Sequence, residues 1–255
     1  MPIKLVNKLS TYSFSLNIGK LRILKSYLIY KKQKNSVPIM QEIDIMLNGD
    51  SSASPVESFS HYDAFYFWMA KDIAKKEGQK ILDLGGKKIM NGWLSVLNDV
   101  YSVNLAAPND SISNVNYVVT DATKALPFPN AYFDIFISPV SINLIGLGRY
   151  GDNVDPSAIP KLISELDRVM KKDAALYISV VYGSDKVMFN NHIVLSFATI
   201  EQLFPKWKID NYLIDHQETY SYNPHDRFTR NLDTDISFSS KNENVIFLRF
   251  GRKLD

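Results

Sequence analysis

Short apolar runs alternate along most of the chain with stretches whose apolar residues recur every three or four positions. The runs at 80–84, 100–105, 115–120, 133–138, 174–181, 207–213 and 244–251 predict seven strands. Helical spacing appears over 62–76, where Phe65, Met69 and Ile73 stand four apart, and again over 91–98, 156–171 and 199–204. Parallel neighbours need crossover connections, so this alternation predicts an α/β domain with a seven-stranded, mostly parallel sheet and helices on both faces. Residues 48–55, Asn-Gly-Asp-Ser-Ser-Ala-Ser-Pro, read as a linker or loop. The expected division is therefore an N-terminal extension over 1–55 and a domain over 56–255. Residues 215–243 have weak periodicity and exceed an ordinary loop in length, which leaves a lid, an interface hairpin or disorder open.

Ligands of open parallel sheets bind outside the carboxyl ends of the strands, where the strand order reverses. Gly85 and Gly86, Asp121, and the loop over 142–152 all fall at such predicted ends. That loop holds Ile-Gly-Leu-Gly-Arg-Tyr-Gly-Asp, from Ile145 to Asp152. Three glycines there permit positive φ or close backbone approach, and loops of this kind carry function more often than core strands do. A tight turn braced by a structural salt bridge is the alternative.

Charge adds a second theme. The net charge of +2 conceals eight basic side chains and no acid over residues 1–41, which leaves 21 basic against 27 acidic residues in the remainder. Such a segment suits an anionic surface. Ile18, Leu21, Leu24, Leu28 and Ile29 recur near helical spacing, so residues 16–30 could form an amphipathic basic helix that touches a membrane peripherally. Packing on the domain, or on a second copy in a homodimer, is the alternative. Aromatic residues are sparse in this segment, which ranks nucleic acid below a lipid surface. No cysteine occurs, and the four histidines (His61, His192, His216 and His225) lack metal-ligand spacing, so no metal site is expected. The first residues lack a continuous apolar stretch of the secretory kind, and no run approaches the roughly 18 residues that span a bilayer. A cytoplasmic protein, with or without peripheral membrane contact, is the expectation.

The order of elements, opened by Ile-Leu-Asp-Leu-Gly-Gly at 81–86 and continued by Thr-Asp-Ala-Thr-Lys-Ala-Leu-Pro-Phe at 120–128, resembles the S-adenosylmethionine-dependent methyltransferases of the Rossmann-like class. The resemblance extends over residues 60–251. His61 and Tyr62, the 145–152 signature followed by Asp155 and Pro156, and Phe-Asn-Asn-His at 189–192 resemble one bacterial branch of that class. That branch is a domain of unknown function, often found among genes for cell-surface polysaccharides.

The resemblance implies that Asp83, Gly85 and Gly86 line the cofactor's amino-acid part. It further implies that Asn104 stands where an acid usually meets the ribose hydroxyls, and that Asp121, with Ala122 beside it, meets the adenine. Two departures stand out. The glycine loop runs on into Lys87 and Lys88 without a third glycine, and Asn104 lacks the charge-assisted strength of a carboxylate. A third concerns the residues before the signature: the branch tends to carry His and Glu-His there, whereas this chain has Pro-Val-Ser-Ile-Asn-Leu at 139–144.

Methyl transfer to an oxygen acceptor calls for a proton acceptor in reach. His61, His192 and Asp152 are the candidates, with capping of the helix near Tyr62 and a loop hydrogen bond as the plainer roles of the two histidines. Arg149 suits a bidentate grip on a substrate carboxylate or phosphate, or else pairs with Asp152 or Asp155 to brace its loop. Tyr150 could stack on a sugar or adenine, or simply pack. The resulting expectation is an S-adenosylmethionine-dependent methyltransferase of a small-molecule or cell-surface glycan acceptor. The alternative is an inactive scaffold whose crevice is filled by side chains such as Met90 or Lys87.

Overall fold

The computed structural model describes residue 28 and residues 60–189, 191–216, 228–230 and 244–253. The chain divides into two units, Met1–Ser58 and Phe59–Asp255, and the fold that follows is that of the second. Apart from Leu28, the expected basic helix at 16–30 and the linker at 48–55 lie outside the described residues, as does most of 215–243.

Helix α1 spans His61–Ile73. Ser60 starts it with a capping box: its hydroxyl accepts from the Asp63 amide at 3.3 Å, and the Asp63 carboxylate accepts from the Ser60 amide at 3.2 Å. His61 therefore does not cap the helix. A short hydroxyl on an extended residue reaches the orphan amides, whereas His61 already occupies the first helical position. Phe65, Met69 and Ile73 form the buried stripe.

The sheet follows from period-two alternation in its strands. In β1 (Lys80–Leu84), Ile81 packs into one apolar cluster and Leu82 into the other. In β4 (Phe133–Pro139) Ile135 and Phe136 divide in the same way, as do Leu176 and Tyr177 in β5 (Met170–Tyr182). Both faces are thus apolar and both are covered. Helix α1 and the short α2 (Lys88–Leu94) take the Ile81 side. Helices α3 (Ala158–Val169) and α4 (Phe197–Leu203) take the Leu82 side, through Leu162, Leu166 and Ile200.

With β2 (Asp99–Asn104), β3 (Val115–Val119), β8 (Trp207–His216), the two-residue β9 (Phe228–Thr229) and β10 (Asn244–Arg252), the strand order is β3-β2-β1-β4-β5-β10-β8-β9. The pairs among β3, β2, β1, β4 and β5 are parallel, and β10 runs antiparallel between β5 and β8. The seven long strands are those the sequence predicts, with shifted ends. Helix α3 stops at Val169 rather than 171, because Met170 is already extended (φ −85°, ψ 141°) and pairs with Phe133. A hairpin of β6 (Lys186–Met188) and β7 (His192–Val194) was not expected from the sequence; three-residue strands leave no periodicity to read. Because β1 lies between β2 and β4, the strand order reverses there, and a crevice is expected at the carboxyl ends of β1 and β4.

Candidate functional site

Strand β1 ends in a buried carboxylate and a glycine turn. Asp83 is fully buried, and its Oδ2 accepts from Asn91 Nδ2 at 2.7 Å, Ser102 Oγ at 3.0 Å and the Gly86 amide at 3.3 Å. Among the described residues its Oδ1 has no hydrogen-bond partner. Burial dominates over those three bonds and pushes the carboxyl up to about 6. Gly85 has φ +78°, and a Cβ there would run into the Ser141 side chain. A Cβ on Gly86 would run into Asp83 itself. The two glycines thus have different tasks: one admits the end of β4 against the end of β1, the other admits the carboxylate under the turn. Helix α1 holds the turn from above, with Tyr66 Oη accepting from the Lys87 amide at 2.7 Å and Lys87 Nζ pairing with Asp63 at 2.9 Å.

At the end of β2, Asn104 Nδ2 donates to the Ser102 carbonyl at 3.1 Å and to its hydroxyl at 3.2 Å. Beyond β3, Asp121 Oδ1 accepts from the Thr123 amide at 2.9 Å and hydroxyl at 2.7 Å, and Lys124 stands 3.6 Å from Oδ2. Burial would raise this carboxyl, but the Thr123 bonds and Lys124 outweigh it and hold it below the ordinary range. Beyond β4, Val140 has φ +51°, a strained value for a β-branched residue. Ser179 of β5 holds it there, its carbonyl at 2.9 Å and its hydroxyl at 3.0 Å from the Val140 amide. This kink carries Ser141 toward Gly85 and leads into a 3-10 turn, Ile142–Leu144.

The signature loop is organised around one carboxylate. Asp152 Oδ2 accepts from the amides of Gly146 (2.8 Å) and Gly148 (3.2 Å), and Oδ1 from that of Tyr150 (3.1 Å). Gly146, Gly148 and Gly151 all have positive φ, at +80°, +71° and +86°. Burial works against ionisation of Asp152, yet the three amides prevail and its pKa lies below the ordinary value. Asp152→Ala should therefore lower stability by about 2 kcal/mol in urea unfolding, since three amides lose a charged acceptor. A loss within experimental error would contradict this role.

These strand ends enclose a hollow of about 350 Å³. Gly85, Asn104, Asp121, Ala122, Tyr150 and Asp152 line it, all of them expected from the sequence. Tyr62, Ser141 and Thr123 line it as well and were not expected as site residues. The Asp-Ala-Thr turn is a side-chain-to-backbone turn signal that could have named Thr123. Tyr62 is marked only by its place beside His61 in the family resemblance, and nothing local marks Ser141; they arrive from α1 and from the β4 kink.

Asp83 and Gly86 lie off the lining, as support for the turn. His61 lies off it too, its ring 4.3 Å from that of Tyr62. His192 is buried in β7, 3% exposed, away from the lining. Arg149 is exposed and pairs with neither Asp152 nor Asp155. Its Nη1 donates to the Asn191 carbonyl at 2.7 Å and side-chain oxygen at 2.8 Å, while Asp152 is taken by amides and Asp155 by Lys161 at 2.7 Å. Neither Met90 nor Lys87 enters the hollow. Among the described residues, no group of three or more His, Cys, Asp or Glu side chains gathers as a metal site would require, and no helix is long and apolar enough to cross a membrane.

Solved structures with similar folds include methyltransferases. The 1,6-didemethyltoxoflavin-N1-methyltransferase of Burkholderia thailandensis, with bound 1,6-didemethyltoxoflavin and S-adenosylhomocysteine, superposes at TM-score 0.53 with 11% identity, over 96% of this chain and 94% of that one. A putative sarcosine dimethylglycine methyltransferase from Galdieria sulphuraria gives 0.50 with 12% identity, over 73% and 84% of the two chains. The YcgJ protein of Bacillus subtilis gives 0.50 with 16% identity, over 75% and 99%. The domain thus has the fold of the Rossmann-like, class I methyltransferases. The chain itself belongs to the family described as "Caenorhabditis protein of unknown function, DUF268", whose sequence model matches residues 89–249. No curated protein matches it in sequence.

Proposed function

We propose that the protein is an S-adenosylmethionine-dependent methyltransferase of a small-molecule or cell-surface glycan acceptor, with the hollow as its cofactor site. The observation that carries this reading is the open hollow at the reversal of strand order, lined by Gly85, Asn104, Asp121 and Ala122 together. Its volume of about 350 Å³ falls within the range of small-ligand pockets. The chain's groups suit an adenosyl amino acid. Gly85 lets the ligand come close to the backbone. Asn104 Oδ1 takes no protein donor among the described residues and can accept from one ribose hydroxyl. Asp121 is held ionised as an acceptor for the adenine amino group, and Ala122, Leu105 and Leu144 give apolar walls. Once bound, S-adenosylmethionine supplies an electrophilic methyl group on a sulfonium centre. Tyr62 stays protonated, since burial raises its pKa, Tyr150 adds to the rise, and Arg149 only partly opposes it. With Tyr150 it walls the hollow's mouth against water.

Calorimetric titration with S-adenosylhomocysteine tests the reading. One site per chain is expected, with affinity reduced by about tenfold or more in Asp121→Ala, which removes a charged acceptor. No heat at millimolar ligand would leave the scaffold alternative. The open hollow speaks against that alternative, which requires a filled crevice. The cytoplasmic location, on the absence of cysteine, and the peripheral membrane contact or homodimer through residues 1–41, on their basic charge, belong to this proposal as its setting.

A further inference from the structure

We propose that the acceptor is a carboxylate-bearing small molecule, sugar acids included, held at the mouth of the hollow by the free edge of the Arg149 guanidinium and methylated on its carboxylate oxygen. The inference rests on the methyltransferase reading and names its substrate class.

A guanidinium has five N–H donors in a planar fork. Among the described residues Arg149 uses only Nη1, where the Asn191 carbonyl and side-chain oxygen hold it at 2.7 and 2.8 Å. That leaves the Nε–Nη2 edge, the one that meets both oxygens of a carboxylate in parallel, with no protein acceptor among the described residues. The side chain also lies beside the hollow, close enough for its charge to act on Tyr62, which lines it. Its guanidinium stands 5.3 Å from the centre of the Tyr150 ring, and Tyr150 lines the hollow. The acids of its own loop are committed elsewhere. Asp152 takes three backbone amides, and Asp155 takes Ser157 and Lys161. A cation fixed by its back edge beside a ligand hollow, with its front edge open, fits an anion brought by the ligand.

The wall of the hollow points the same way. Its ionisable groups are two tyrosines and two aspartates. Burial keeps the Tyr62 phenol protonated. Asp121 and Asp152 each spend oxygens on their own loop's donors and are held as weak bases. His61 and His192 lie off the wall. Among the described residues, a hydroxyl acceptor would find no carboxylate or histidine suited to take its proton. A carboxylate needs none. Its oxygen forms the bond to the methyl carbon, the carbon–sulfur bond breaks with its electron pair left on sulfur, and a neutral ester and a neutral thioether result. Opposite charges cancel in this step, so the largely apolar hollow formed by Leu84, Val103, Ala122 and Ile145 favours it over water.

The test uses the full chain, wild type and Arg149→Ala, first titrated with S-adenosylhomocysteine. Both proteins are expected to bind it equally. Each, saturated with that ligand, is then titrated by calorimetry with benzoate and glucuronate and with the matching amides. At least one acid should bind more tightly than its amide, and Arg149→Ala should lose about 10- to 100-fold in acid affinity. Arg149→Lys, which keeps the charge and loses the fork, should fall between. Equal binding of acids and amides overturns the proposal, as does acid binding unchanged in Arg149→Ala. Weaker S-adenosylhomocysteine binding in Arg149→Ala also overturns it, because the guanidinium would then hold the cofactor's own carboxylate. A wild-type protein that fails the first titration refutes the methyltransferase reading itself, which separates that failure from this one.

Discussion

Replacing Gly85 by alanine is expected to abolish useful cofactor binding, with S-adenosylhomocysteine affinity lower by about 100-fold and stability lower by roughly 2–4 kcal/mol. Two penalties combine at this position. The backbone sits at φ +78°, which an L-residue adopts only at a penalty of about 1–2 kcal/mol. The added methyl also meets the Ser141 side chain, so the ends of β1 and β4 must part where the hollow forms. Gly78 supplies the control. Its φ is +68°, but a Cβ there meets nothing within 4 Å and it lies outside the hollow. Gly78→Ala should therefore show the backbone penalty and leave ligand affinity alone. Adding Ser141→Gly to Gly85→Ala should restore part of the affinity by removing the steric share. Equal effects of the two alanine variants on binding would show that the close approach of Gly85 and Ser141 has no part in the site.

Asp83→Asn is expected to make the protein more stable at pH 8, by about 2–3 kcal/mol, and at the same time a poorer binder of the cofactor. The sign follows from the raised pKa of Asp83, about 6 in the folded chain against the ordinary carboxylate value when unfolded. Between those values the folded state holds the extra proton, so stability falls as pH rises through the window. Its contribution is full below about pH 4 and lost above about pH 6. Asparagine removes the buried charge while its oxygen still accepts from Asn91, Ser102 and the Gly86 amide. On the proposed cofactor site, the carboxylate beneath the glycine turn would attract the ligand's cationic groups, an attraction asparagine lacks. Urea unfolding from pH 4 to 8 should show a decline in the wild type that is shallower in the variant. Parallel pH profiles would place the ionisation elsewhere.

The legible parts of this protein are those fixed locally. The strands are readable because both faces of the sheet are buried, so runs such as 81–84 and 133–138 are apolar but for Asp83, Asp134 and Ser138. Gly85, Asn104 and Asp121 are readable because each directly ends a strand, and strand ends are where open parallel sheets bind ligands. What failed to show depends on distant pairing. Near the start of β5, Lys171, Lys172 and Asp173 are polar because that end of the strand is largely exposed, so the sequence reads a helix as far as Lys171 and a connection over 172–173. The partner of Arg149 lies 42 positions away in the turn of a hairpin too short to leave a period. Asp152, a candidate base in the sequence, accepts from the amides of Gly146, Gly148 and Tyr150, a role set by the fold of the loop that its residues do not spell out.

The adenosyl ligand should lie across the reversal between β1 and β4, and a crystal structure with S-adenosylhomocysteine tests this most directly. The adenine amino group should fall within hydrogen-bond reach of the Asp121 carboxylate, the ribose beside Asn104 and the amino-acid part against Gly85. Ligand seated anywhere else on the domain, with this hollow unchanged from the free protein, would contradict the assignment.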